Sequence, residues 1–287
     1  MKKSLFILIA LMFHYIGHSQ LTISRIWSYN ANKSITINVF VDSLEINKTN
    51  TIRVISATAK TDKGQILISQ EAYPDRYFSN SDGWVQINLE SQSNPIYKLD
   101  SLKVKVKYFT PTVENKSLIT INNPQEKLHL SLIENEYPAL KFIVLDFLTL
   151  KQLKRKSKKD YNALIETIEE RNKTQKGKLA WLMDVAFKDY KGFSKSELQK
   201  RIFIYMEDKE RVIKKVSTFN NNGKEMDKVT SNLFDNSFSS LIQVKGYFEI
   251  PQNDWTFKLF IENEKSTKEI ELKMGTILIP ENKTITH

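Results

Sequence analysis

Apolar and polar residues alternate in short runs along the first half of the chain. Ile35, Ile37 and Val39 are interleaved with Thr36 and Asn38, the period of two of a strand with one buried face. Leu102–Tyr108 carries the pattern more strongly, with Leu102, Val104, Val106 and Tyr108 on one face and Lys103, Lys105 and Lys107 on the other. Thr61-Asp62-Lys63-Gly64 lies between Ile52–Ala59 and Ile66–Ile68, and a glycine free to turn left-handed there predicts a hairpin. Trp84–Leu89, Ser117–Ile121 and Leu128–Leu132 are further strand candidates, with Asp82-Gly83, Asn94-Pro95 and Asn122-Asn123-Pro124 as breaks. Six to eight strands within about 110 residues predict an antiparallel β-sandwich of immunoglobulin-like size, without the Cys…Trp…Cys spacing of true immunoglobulin domains.

After Pro138 the period changes. Leu140–Leu150 is a dense apolar run that fits a buried strand or the start of a helix, and periodicity does not choose between them. Asp160 is placed to cap a helix whose apolar face is Tyr161, Leu164, Ile165 and Ile168. A second helix is expected over Lys178–Tyr190, with Leu179, Leu182, Val185 and Ala186 on one face and Gly192 just beyond. Ser194 and Glu197 form a capping-box pattern for a third. Ile202-Phe203-Ile204-Tyr205 looks strand-like, but Leu198, Ile202, Tyr205, Lys209 and Val212 keep a helical rhythm, so this helix is expected to reach about Glu207. Past the turn at Asn220–Gly223, the runs Leu241–Ile250, Trp255–Ile261 and Lys268–Met274 predict a small antiparallel sheet. The expected fold is therefore α+β, mainly β, with a sandwich domain at 20–135 and an α+β domain at 136–287, its helices at about 160–207 and strands at about 241–274.

The N-terminus changes this picture by removing a segment. Lys2 and Lys3, the apolar run Leu5–Phe13, and the small residues Gly17 and Ser19 match an export signal over 1–19, with cleavage expected before Gln20. The apolar stretch is too short for a spanning helix, and without a cysteine to carry lipid the product is not expected to be a lipoprotein. A periplasmic or secreted location follows. With no cysteines, the fold must rest on core packing and hydrogen bonds. Loss of Lys2 and Lys3 lowers the net charge from +10 to +8, a balance that favours peripheral contact with anionic surfaces.

Several chemistries lack their residues. Outside the signal only His129 and His287 could serve as a histidine base, and no G-x-S-x-G elbow presents a serine. His129, between Leu128 and Leu130, reads as a solvated or satisfied strand residue. Zinc, calcium-loop and nucleotide patterns are absent, so no metal, cofactor or catalytic residue is assigned. Glu166, Glu169 and Glu170 fall opposite the apolar face of their helix, where surface acids are usual.

Two features remain. Lys151, Lys154, Arg155, Lys156, Lys158 and Lys159 form a basic run suited to anion contact, its structural alternative being a solvated helix end. It lacks interleaved aromatics, which argues against nucleic acid. The long aromatic segment before and into Trp84 supplies Tyr73, Arg76, Tyr77, Phe78 and Trp84 as a ligand patch, and Trp27, Trp181 and Trp255 are further aromatic platforms whose commoner fate is the core. The leading expectation is an exported, non-enzymatic binding or envelope-assembly protein whose partner is an envelope protein or polysaccharide. A carbohydrate-binding module using 71–84 is the alternative, and a hydrolase with scattered carboxylates the third.

Overall fold

The computed structural model describes residues 21–42, 44–70, 84–235 and 239–280. They form an α+β fold, mainly antiparallel β, in two compact units. One holds the residues up to Pro111 together with those from Glu264, and the other runs from Thr112 to Asn263.

In the first unit, β1 (Leu21–Tyr29), β2 (Ser34–Val41) and β5 (Trp84–Glu90) make a sheet of order β1-β2-β5. A second sheet joins β3 (Thr51–Thr61), β4 (Ile66–Gln70), β6 (Lys98–Phe109) and β14 (Thr267–Met274) in the order β14-β6-β3-β4, with β15 (Ile277–Leu278) also on β6. Alternate residues of both sheets enter one core: Ile37 of β2, Ile87 of β5 and Val104 of β6 are each 0% exposed. Burying such a side chain is worth about 1.5–3 kcal/mol, so the alternation itself stabilises the pairing register. The β3–β4 hairpin turns at Gly64, whose φ of +77° needs no Cβ, and the Gly64 N–H donates to Thr61 O at 3.0 Å.

The second unit has three layers. A sheet of order β10-β13-β7 comprises β7 (Leu118–Asn122), β10 (Ile213–Phe219) and β13 (Thr256–Ile261). A sheet of order β11-β12-β9-β8 comprises β8 (Lys141–Leu145), β9 (Arg201–Glu207), β11 (Val229–Phe234) and β12 (Ser240–Gly246). The helices α1 (Phe147–Lys156), α2 (Lys158–Asn172), α3 (Lys178–Asp189) and α4 (Lys195–Gln199) follow β8 and precede β9. Odd and even residues of β8 and β9 serve different cores. Ile143, Leu145, Phe203 and Tyr205 pack with the helices, while Phe142, Val144, Ile202, Ile204 and Met206 pack with the three-stranded sheet.

This double burial settles the ambiguous run Leu140–Leu150 as strand β8 followed by helix α1. Asp146 stands between them and caps α1, its Oδ1 accepting the Thr149 N–H at 2.9 Å. The same effect overturns the helix expected to reach Glu207. The Ser194/Glu197 capping box forms, but α4 ends at Gln199 and Arg201–Glu207 is strand β9. A strand apolar on both faces satisfies helical spacing by coincidence, and that spacing misled the sequence reading. The first long helix starts earlier than expected, because Ser157 and not Asp160 is its cap, Ser157 Oγ accepting the Asp160 N–H at 3.2 Å.

Leu128–Leu132 is not a strand. Left-handed His129 (φ 64°) breaks the extended run, and only Ser131 bridges to Ile143. The two units meet along the chain at 111/112 and 263/264. The three C-terminal runs do not form one sheet: β12, β13 and β14 belong to three different sheets, β14 to the first unit. Turn residues mark where a chain reverses, not which sheet it rejoins.

Gly246 shows how tightly β12 meets β11. A Cβ there would lie 2.7 Å from Cγ1 of Val229, the residue it pairs with. Gly246→Ala is expected to lower stability by about 1–2 kcal/mol. Val229 is 53% exposed, so adding Val229→Ala should return most of that loss. Urea unfolding of single and double variants measures the coupling, and simple additivity would remove the steric account.

Candidate functional site

The second unit carries a cleft of about 260 Å³ where β8 ends and β9 begins. Its apolar lining comes from both cores: Val144 and Ile202 from the inter-sheet side, Leu145, Phe147 and Phe203 from the helix side. Asp146, Arg201, Gln125 and Gln199 add polar groups, and Ile250, 46% exposed, stands with Pro251 among the lining residues.

The charged residues are held by structural bonds. Asp146 is fixed as the cap of α1. The Arg201 guanidinium lies 4.3 Å from the centroid of the Phe193 ring and donates to the Glu197 carbonyl. Apolar surface with one anchored carboxylate and one anchored guanidinium suits an amphipathic group with a polar end.

His129 lies close enough to Asp146 for the two charges to interact. Its backbone N–H donates to Val144 O at 2.8 Å and its carbonyl accepts from Asn172 Nδ2 at 2.9 Å. Its Nδ1 is buried with no hydrogen-bond partner among the described residues. Burial holds the imidazole below its ordinary value, with Asp146 opposing.

The buried charged groups of this unit serve as struts. The Glu169 carboxylate accepts the N–H groups of Gly177 at 2.8 Å and Leu179 at 3.0 Å, closing the turn into α3 at that helix's positive end. Asp208 accepts from Val212 at 2.9 Å and Ile213 at 2.7 Å, while burial raises its pKa. Lys245, its side chain 2% exposed, donates to Asp227 Oδ2 at 2.6 Å and to Val216 O at 2.7 Å. Burial pulls the Lys245 ammonium below the ordinary lysine value, with Asp227 opposing.

Of the residues singled out by sequence, Tyr73, Arg76, Tyr77 and Phe78 lie outside the described residues, and Trp84 opens β5 opposite Phe40. The basic run is divided between two helices. Lys151 donates to Tyr190 O at 3.2 Å, and Lys154 pairs with Asp184 and lies 5.0 Å from the Phe187 ring centroid. Arg155 and Lys156 in the last turn of α1, and Lys158 and Lys159 in the first turn of α2, are exposed. Trp255 is 2% exposed against Tyr247, whereas Trp181 is 43% exposed in a second cavity of about 320 Å³ with Lys178 and Asp235. Sequence reasoning missed the cleft because its lining residues are scattered from Gln125 to Pro251. The one available signal was the change of element around Asp146.

Comparison with protein-family models, curated proteins and solved structures finds no match. The functional reading therefore rests on the sequence and on this geometry.

Two outcomes follow. Because burial depresses the folded-state pKa of His129, its contribution to stability is present above pH 6.5 and lost as pH falls through that lowered value. Wild type should lose stability between pH 7 and pH 5, and His129→Asn, which tolerates the left-handed backbone, should flatten that slope in urea melts. Asp227→Ala strands a buried ammonium and should cost about 3 kcal/mol, whereas Lys245→Met, which removes the charge and keeps the volume, should cost less. Equal costs in the same melts would show that the charge is not the issue.

Proposed function

We propose that this chain is an exported, non-enzymatic binding protein whose second unit captures an amphipathic segment of an envelope partner in the β8/β9 cleft. The observation that carries the reading is the apolar cleft lining combined with charged groups already anchored by other bonds. A site whose polar groups are fixed beforehand loses little freedom on binding. The buried Glu169, Asp208 and Lys245 support binding over catalysis, since each is engaged in closing a turn or joining layers. Export is supported by the charged, apolar and small-residue zones of the first 19 residues.

A second reading, carbohydrate binding, is favoured by Trp181, whose exposed ring shares its cavity with Lys178 and Asp235. A ring stacks on a sugar face, and Lys178, ion-paired with the buried Asp235, adds a polar group beside it.

One experiment separates these readings. A photo-crosslinking residue replaces Ile250 at the cleft, or exposed Glu166 on α2 as control, in native cells. The expected result is a discrete adduct from position 250 and none from 166, on a chain whose mass begins at Gln20. An adduct pattern shared by both positions, or an uncleaved chain, overturns the exported-binder reading. Glycan-array binding abolished by Trp181→Ala would transfer the assignment to the second cavity.

A further inference from the structure

The sheet β14-β6-β3-β4 of the first unit has a second face, turned away from its core. Its register assigns Arg53 and Lys60 of β3, Lys103, Lys105 and Lys107 of β6, and Lys273 of β14 to that face. The intervening Ala57, Ala59, Leu102, Val104 and Val106 are buried in the core. Two carboxylates share the outer face, Glu269 with Lys105 at 2.5 Å and Glu271 with Lys273 at 3.1 Å. Lys98 and Asp100, on either side of inward-facing Leu99, add a further ion pair at 3.1 Å, and the exposed Lys60 and Lys103 carry positive charge beyond these pairs.

The edge strand β4 adds the decisive feature. Ile68 pairs with Thr58 and Ile66 with Lys60, which places both isoleucines on this outer face, 65% and 54% exposed. Between them Leu67 turns inward and is 2% exposed. Edge strands usually carry charge on their open side, which blunts unwanted pairing. Two isoleucines there run against that habit.

We infer that this face docks the protein on an anionic lipid surface, with Ile66 and Ile68 entering the interface and the lysines meeting phosphate headgroups. Charge complementarity selects an anionic partner, and the isoleucine pair selects lipid over a soluble polyanion. A nucleic acid or acidic polysaccharide would engage the cations but gives aliphatic side chains nothing to enter, and the one aromatic ring this register puts on the outer face, Phe109, is 2% exposed and not open to stack on a base or sugar. Lysine stems beside the isoleucines can lie along the apolar boundary with their ammonium groups in the headgroup layer. The inference concerns the first unit and stands apart from the cleft of the second.

The test is flotation of the full chain with vesicles of phosphatidylcholine alone or with about one third phosphatidylglycerol. Every variant keeps the same N-terminus, so its contribution cancels. Wild type is expected to float with the anionic vesicles and to be released by salt. Lys60→Gln with Lys103→Gln should lower partition about thirtyfold, two lysines at roughly 1 kcal/mol each. Ile66→Ser with Ile68→Ser should lower it about tenfold. All four positions lie on the outer face, so unchanged circular-dichroism melts verify the fold. Neutralising Arg155, Lys156, Lys158 and Lys159 should leave partition unchanged. Loss in that variant with none in the sheet variants overturns the inference. Full binding by the isoleucine variant together with competition by dextran sulfate also overturns it, and assigns the face to an acidic polymer.

Discussion

The second unit depends on one constraint: β9 is buried on both faces. Phe203 and Tyr205 are 1% and 0% exposed on the helix side, and Ile202, Ile204 and Met206 no more than 5% on the other. A strand in that position must give both layers apolar residues at consecutive positions, which removes the polar alternation that otherwise marks a strand. Each residue fixes register twice, because a slip by one exchanges the two cores. Phe203 stacks on Phe147 with ring centroids 3.8 Å apart, so the same strand also sets where α1 begins.

Layers built this way leave charged residues few exits, and the chain uses buried charge as connective material. Lys245 lies on the inter-sheet side of β12 and reaches the backbone of β10 at Val216 O, with Asp227 as its counter-ion. Glu169 does the equivalent work among the helices, its carboxylate supplying acceptors that the first N–H groups of α3 would otherwise lack. Such bonds add modest net stability, but their removal leaves an unmatched buried group. They fix arrangement more than they add energy.

How much of this was legible in the sequence follows from the same physics. Strands with one wet face were readable: β6 shows its lysines outside and Leu102, Val104 and Val106 inside, and β2, β3 and β5 fall close to their expected positions. Amphipathic helices α2 and α3 were readable for the same reason. β8 and β9 were not, because double burial erases the periodicity. Sheet membership was also hidden, since β14 lies beside β6 across more than 150 residues of chain, and no local pattern encodes such a pairing. Of the candidate sites, the basic run was visible as composition, but its division into packing lysines and exposed ones depends on where α1 stops and α2 starts.

The cleft follows from the fold while its charges do not. At the end of β8, Val144 and Leu145 face opposite cores, and the chain then leaves the sheet as α1. Neither core extends over the point where they meet, so an apolar floor is a geometric consequence of placing one strand between two layers. Asp146 is required there to cap α1, but a serine or asparagine would cap equally well. Arg201 is not required to begin β9, yet its guanidinium is held by the Phe193 ring and the Glu197 carbonyl beside that same floor. Asp146 and Arg201 thus bring opposite charges to the rim of an apolar opening, each held in place by a bond of its own.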